Sequence, residues 1–274
     1  MSVDQDPLFS VSDRPVVVTG GAGRLGGHFA KTLIARGAKV AVFDAVEVAK
    51  SRARFDGLGS NSLLRFEQVD ATDRESIVSA LARVEADWGT PYGLINAAAI
   101  DAPPDAPPEE NGPFETYPVE SWDRIMDVNV KGVMLCCQVI GGAMAKAGRG
   151  AIVNVASTYG LVSPDQSLYE YRRARGEVFY KPVAYSASKS ALYNLTRYLA
   201  TYWAKQGVRV NTLTPGGVFA GQEQDFLDAY NRRVPMGRMA REDELDGAVV
   251  FLLSDASSYM TGGNLVVDGG WTAW

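Results

Sequence analysis

Residues 15–26 read PVVVTGGAGRLG. The apolar, β-branched run at the start of this stretch predicts a short strand, Pro15–Thr19, buried on both faces. It passes directly into glycines and then into residues 24–36, where Leu25, Phe29 and Leu33 recur at four-residue spacing, the pattern of a helix facing a core. Gly37 closes that helix. Gly21, Gly23 and Gly26 satisfy G-x-G-x-x-G, which between a strand and a helix predicts a cradle for the pyrophosphate of a dinucleotide. Glycine permits the tight turn and the approach of phosphate to backbone, and the N–H groups at the helix start receive the negative charge. Gly20, Arg24 and Leu25 complete the candidate loop. The competing reading is a purely structural glycine turn.

Outward from this unit, strand and helix patterns alternate almost to the C-terminus. Residues 38–43, 63–69, 93–97, 151–156, 208–213 and 264–267 read as strands; 73–88, 122–147, 183–206 and 242–253 read as helices. Such alternation predicts an α/β protein, a single-domain Rossmann fold whose doubly wound parallel sheet of about seven strands carries helices on both faces. Residues 1–14, polar and aperiodic, are expected to form a flexible arm, and 15–274 the domain. Three segments, the proline-rich 101–118, then 160–182 and 219–241, read as loops. In such sheets, loops at the carboxyl ends of the strands are where ligands bind.

The 274 residues, 46% hydrophobic and 22% charged, describe an ordinary globular chain whose core needs no metal or disulfide staple. A net charge of −5 argues against nucleic acid or an anionic membrane as the main partner. There is no run of eighteen apolar residues, and the N-terminus MSVDQDPLFS lacks a secretion-signal layout, so a cytoplasmic protein without a membrane span is expected. One histidine, His28, and two adjacent cysteines, Cys136 and Cys137, are too few for a zinc site. The cysteines are expected to be small core residues. With only His28 available, directly behind the glycine loop, imidazole chemistry is not expected.

Tyr185 and Lys189, in Y-S-A-S-K, stand four apart and so share a helix face. Two charges 4 Å apart at an effective dielectric of 20 interact by ~4 kcal/mol. On that basis the ammonium is expected to draw the phenol from ~10 towards ~7, giving an acid/base near neutrality without histidine. Ser157, after the fifth strand, is placed to hold a substrate oxygen or to cap a helix. Asn129 is placed to position a water beside the lysine, or is a surface or helix-bend residue. Asp44, ending the second strand, would accept ribose hydroxyls and repel a 2′-phosphate, which favours NAD over NADP. Arg24 keeps NADP open, since it either reaches a 2′-phosphate or forms a salt bridge. Asp70, ending the third strand, and Ala71 line an adenine pocket or shape a turn.

Taken together these marks resemble the short-chain dehydrogenase/reductase family, in its compact single-domain branch. The resemblance is carried by the glycine loop, Asp70, N-A-A-A at 96–99, Asn129, Ser157, Tyr185, Lys189, Pro215-Gly216 and TGGNLVVDGG at 261–270. It implies an NAD(P) site that also includes Asn96, Ala97, Ala98, Pro215, Gly216 and Val218. It further implies tyrosine as acid/base, lysine on the nicotinamide ribose, serine on the substrate oxygen and asparagine in a proton relay. Members are commonly homotetramers or homodimers with the C-terminus at an interface, a role that suits Trp271 and Trp274. Arg24 departs from the compact pattern, as do Asn96-Ala97 and Ala220, and an unusually long stretch separates Ser157 from Tyr185. This insertion carries Arg172, Arg173 and Arg175, which with Tyr159 are candidate substrate residues, because arginine forks suit carboxylate or phosphate. The stretch around 157–165 resembles members linked to sialic-acid-like sugars in flagellin modification. The expectation is an NAD(H)-dependent interconversion of a secondary alcohol and a ketone on a polar or anionic, sugar-like small molecule. A 3-oxoacyl thioester is the competing substrate, and a catalytically silent nucleotide-sensing protein the competing class.

Overall fold

A computed structural model describes residues 6–58, 61–101 and 108–274; residues 1–5 of the expected arm and 102–107 of the expected first loop lie outside the described residues. Seven strands form one sheet in the order β3-β2-β1-β4-β5-β6-β7. They are β1 Pro15–Thr19, β2 Lys39–Asp44, β3 Leu64–Gln68, β4 Gly93–Asn96, β5 Gly150–Val155, β6 Val208–Pro215 and β7 Asn264–Val267. Every pairing is parallel. The helices are α1 Arg24–Ala35, α2 Val48–Ala53, α3 Arg74–Trp88, α4 Val119–Ala147, α5 Thr158–Leu161, α6 Glu170–Ala174, α7 Val183–Trp203, α8 Gln224–Arg233 and α9 Asp246–Leu253.

The alternation of side chains along a strand explains why the central strands are apolar throughout. In β1, Val16 and Val18 meet Phe29 and Leu33 of α1 and Val249 and Leu252 of α9. Val17 points the other way, into a layer with Ile77 of α3, Ile140 of α4 and Leu192 of α7. Each such fully buried Val or Leu contributes about 1.5–3 kcal/mol relative to exposure. Cys136 and Cys137 belong to the second layer, and burial pushes the Cys137 thiol up to about 12. The strand order reverses between β1 and β4, which opens a crevice at the carboxyl ends of these strands.

Helix α4 begins at Val119, three residues before its predicted start, and contains two π-helical stretches, Asp127–Gly132 and Cys137–Gly141. Its mean hydropathy, 1.4 over its most apolar window, would suit a membrane span by length and composition. Here Ile125, Val133, Ile140 and Met144 are instead buried within the protein.

Three expectations are corrected. Residues 6–14 are not a loose arm: Val11 is fully buried, the Asp13 N–H donates to the Gly37 carbonyl at 2.9 Å, and Arg14 donates to the Leu253 carbonyl at 2.8 Å while pairing with Asp255. Segment 219–241 is not all loop, since it contains α8. Segment 160–182 is likewise built, with a 3-10 turn Gln166–Tyr169 and α6. Leu168, Tyr169 and Phe179 from this insertion form a third apolar cluster with Tyr230 of α8 and Trp271. Trp271 therefore packs inside its own chain, stacked on Tyr230 at 4.6 Å, whereas Trp274 is exposed.

Candidate active site

Between β1 and α1 the glycine loop folds back on itself. A Cβ at Gly26 would lie 2.3 Å from the Gly20 carbonyl oxygen, so only glycine fits there. No side chain caps the first turn of α1, the position where a helix stabilises an anion. A cavity of about 500 Å³, within the range of cofactor sites, opens beside it. Of the predicted cofactor residues, Gly20, Gly23, Arg24, Leu25, Gly26, Asp44, Asp70, Ala71, Ala97 and Ala98 line this cavity. Asp44 is fixed at the end of β2 by the Ala22 and Val46 N–H groups, at 2.9 and 3.1 Å. Asp70 both lines the cavity and shapes a turn, accepting from the Thr72 N–H at 2.8 Å and hydroxyl at 2.7 Å. Arg24 resolves towards a salt bridge: its Nε pairs with Glu242, and its Nη1 lies 3.4 Å from the Val218 carbonyl oxygen. Arg54 also lines the cavity, a basic residue that sequence reasoning missed because nothing in its local pattern marks it.

Other predicted cofactor residues fall elsewhere. Asn96 is turned into the core, where its Nδ2 donates to Asn154 Oδ1 across the β4–β5 pairing at 2.8 Å. Gly21 backs onto the sheet, with its N–H donating to the Phe43 carbonyl. Pro215, Gly216 and Val218 are not in the cavity wall; Pro215 is the last residue of β6 and the other two follow it, where the Gly216 N–H donates to the Val267 carbonyl at 2.9 Å.

The structure does bring the four predicted catalytic residues together. Tyr185 and Lys189 share a face of α7, with the Lys189 Nζ 5.8 Å from the Tyr185 ring centre. Lys189 is almost fully buried and donates to the Val155 carbonyl at the end of β5, at 2.8 Å. Ser157, two residues on, is the N-cap of α5, and its side chain acts on the Tyr185 phenol in the direction that lowers its pKa. Tyr193, one turn beyond Lys189, anchors the Ser157 carbonyl at 2.9 Å. A close approach supports this geometry: a Cβ on Gly160 would stand 2.7 Å from the Lys189 backbone. Asn129 is fully buried in the first π-helical stretch of α4. Its amide clasps both backbone groups of Ile100, at 2.8 and 2.9 Å, and donates to Ser188 Oγ at 3.0 Å. Asn129 thus ties the cavity wall to the Tyr185 helix, and it is not a surface residue.

The electrostatics differ from the expectation of a phenol drawn towards neutrality. Burial, followed by the negative charge of Asp101, raises the Tyr185 pKa well above that of an ordinary tyrosine, and the Ser157 side chain offsets this only in part. Burial also pulls Lys189 down to about 8, against the opposing pull of Asp101. A Coulomb estimate between two charges omitted the cost of taking either out of water, and that cost dominates here.

The arginine run is also not what its composition suggested. Arg172 pairs with Glu177 and lies over the Phe179 ring at 4.2 Å. Arg173 donates to the carbonyls of Gln166 and Phe179, at 2.7 and 3.0 Å, and Arg175 pairs with Glu223 and Asp225. All three guanidinium groups fasten the insertion and α8. Tyr159 packs against the Leu168–Tyr169 cluster and hydrogen-bonds with Tyr169. The charged side chains that border Tyr185 instead are Lys181, whose Nζ lies 5.2 Å from its ring centre, and Asp101, which pairs with Lys181. The signal for Lys181 was present in its position four residues before the tyrosine.

Comparisons with known proteins agree with this arrangement. The family model described as Enoyl-(Acyl carrier protein) reductase matches residues 21–272. The chain is 36% identical over 267 residues to cis-4-hydroxycyclohexanecarboxylate dehydrogenase of Sinomonas cyclohexanicum, covering 96% of this chain and 98% of that protein. It is 34% identical over 278 residues to D-threitol dehydrogenase of Mycolicibacterium smegmatis, covering 99% and 97%. A crystal structure of a short chain dehydrogenase from Leptospira borgpetersenii with bound NAD+ matches with a TM-score of 0.84 at 30% identity, over 99% of this chain and 98% of that one.

Proposed function

The chain belongs to the short-chain dehydrogenase/reductase family, and on that premise we propose that it is an NAD(H)-dependent oxidoreductase. It interconverts a secondary alcohol of a small polyhydroxylated molecule and the corresponding ketone. The observation that carries this reading is the shared helix face of Tyr185 and Lys189, with Lys189 anchored at the end of β5 beside Ser157, joined through Asn129 to the wall of the glycine-loop cavity. The cradle fits a dinucleotide: the loop is closed to any Cβ at Gly26, and Asp44 offers a fixed carboxylate for ribose hydroxyls. Arg24 is held by Glu242, which leaves the preference for NAD over NADP with Asp44.

NAD(H), when bound, supplies the hydride acceptor or donor. The chain's residues handle the oxygen and its proton. Ser157 and Tyr185 hold the reacting oxygen and stabilise the charge that develops on it. In reduction, the protonated Tyr185 phenol gives its proton to the carbonyl oxygen as the C–H bond forms. In oxidation, the phenol must first lose that proton, so the oxidative rate rises with pH. Lys189, anchored on Val155, holds a positive charge beside the phenol and would hold the nicotinamide ribose. The arginines of the insertion are spent on its own fold, so we read the substrate as a neutral polyol or ketose rather than an anion. Threitol in the name of one relative accords with this, while the other relative is named for a carboxylate.

The test is NADH oxidation against a panel of ketoses and acetoacetyl-CoA. Tyr185→Phe should lower kcat by about 10²–10⁴ while NADH binding, read by fluorescence, changes less than about twofold. Equal turnover by the two proteins removes the mechanism. Turnover of the thioester alone favours the acyl reading, and NADH binding without turnover of any carbonyl favours the sensor.

A further inference from the structure

The insertion between α5 and α7 converges on one residue. The Gln166 side chain accepts from the Lys181 N–H at 2.9 Å and donates to the Lys181 carbonyl at 3.1 Å. The Gln166 carbonyl is in turn held by Arg173. Lys181 is thereby fixed in place just before α7. Its side chain, 11% exposed, is paired with Asp101, which follows the cavity-wall run 97–100. Asp101 also acts electrostatically on both Tyr185 and Lys189. A lysine that loses most of its water is costly unless it is paired, and Asp101 supplies the partner.

We propose that Asp101 and Lys181 form a specificity clamp for a second substrate hydroxyl, adjacent to the one held by Ser157 and Tyr185. A carboxylate accepts and an ammonium donates, so the pair offers a hydroxyl, which does both, two complementary partners. A polyol carries such a hydroxyl one carbon–carbon bond from the reacting one; a monohydric alcohol does not. The clamp therefore selects vicinal diols over monohydric alcohols, and the insertion holds Lys181 in place for it. This inference rests on the alcohol–ketone reading above and adds to it the class of substrate.

The experiment measures kcat/KM for threitol, cyclohexanol and gluconate with NAD+ in the wild type, Asp101→Asn, Lys181→Met and Lys181→Arg. Binding of threitol to the enzyme–NADH complex is measured in parallel by fluorescence quenching, a readout that needs no turnover. The clamp requires the losses in Asp101→Asn and Lys181→Met to be at least about tenfold larger for threitol than for cyclohexanol, the scale of one lost charge-assisted hydrogen bond. It also requires matching loss of threitol binding and partial rescue by Lys181→Arg. Tyr185→Phe should lower turnover by about 10²–10⁴, and the threitol binding that it retains should still fall when Asp101→Asn or Lys181→Met is added. Equal losses on both alcohols, or unchanged threitol binding, overturns the clamp, whereas gluconate, which carries vicinal hydroxyls of its own, should show losses like those of threitol. Threitol binding that depends on the pair, without turnover of any alcohol, upholds the clamp and refutes the oxidoreductase reading.

Discussion

The burial of Lys189 carries a measurable cost with a definite pH dependence. Lys189 is 4% exposed, donates to one carbonyl, and burial draws its pKa from 10.5 to about 8. Between those two values the unfolded chain holds a proton that the native protein has released. The free energy of unfolding therefore rises with pH across that window, and below pH 8 the cost of the buried charge is present in full. From pH 7 to pH 10 the lysine contributes a gain of about 2.5 kcal/mol, order of magnitude. Tyr185, whose raised pKa lowers stability only as the pH reaches the unfolded tyrosine value near 10, is present in both proteins and cancels from their difference. In Lys189→Met the carbonyl of Val155 loses its donor, a loss that is the same at every pH. Urea unfolding of both proteins at pH 7, 8, 9 and 10, at one protein concentration, isolates the slope. The wild type should gain about 2.5 kcal/mol on the variant across the series. A difference that is flat, or that runs the other way, would falsify the claim that desolvation governs this ammonium.

Two further outcomes follow from the same packing. The Tyr185 phenol, held protonated by burial and by Asp101, should contribute no phenolate absorbance below about pH 9; the titration of the wild type at 295 nm minus that of Tyr185→Phe checks this, and a signal near neutrality would contradict it. Arg173→Ala removes the donors to Gln166 and Phe179 that hold the insertion in shape. It should lower kcat/KM about tenfold or more with NADH affinity unchanged and open 160–182 to limited proteolysis; unchanged cleavage would show that other contacts hold this segment.

Local pattern was enough for most of the fold. The β-branched run of β1, the glycine loop and the four-residue periodicity of α1 all follow from short-range rules, and the Tyr185–Lys189 spacing follows from one helical turn. What escaped was tertiary. Asn96 looked like part of a cofactor-facing N-A-A-A run, yet strand parity and the register with Asn154 direct it inward. Arg172, Arg173 and Arg175 looked like a free basic patch because their acceptors lie on carbonyls of the same loop and on acids up to fifty residues away. In α8, Phe226, Leu227 and Tyr230 have helical spacing, but the helix is short and its partners, Tyr169 and Trp271, come from distant segments. The titration of Tyr185 was misjudged because solvent exclusion cannot be read from the spacing of two residues.

The two widened turns of α4 bear on how this helix tolerates changes in length. A π-turn accommodates one residue more than an α-turn, so each stretch behaves as a slack loop of thread within an otherwise taut coil. Losing one residue from Cys137–Gly141 would tighten the coil there while the residues on either side keep their neighbours. The same loss within Asp127–Gly132 would swing Asn129 away from Ile100 and unfasten the cavity wall from the helix that bears the catalytic phenol.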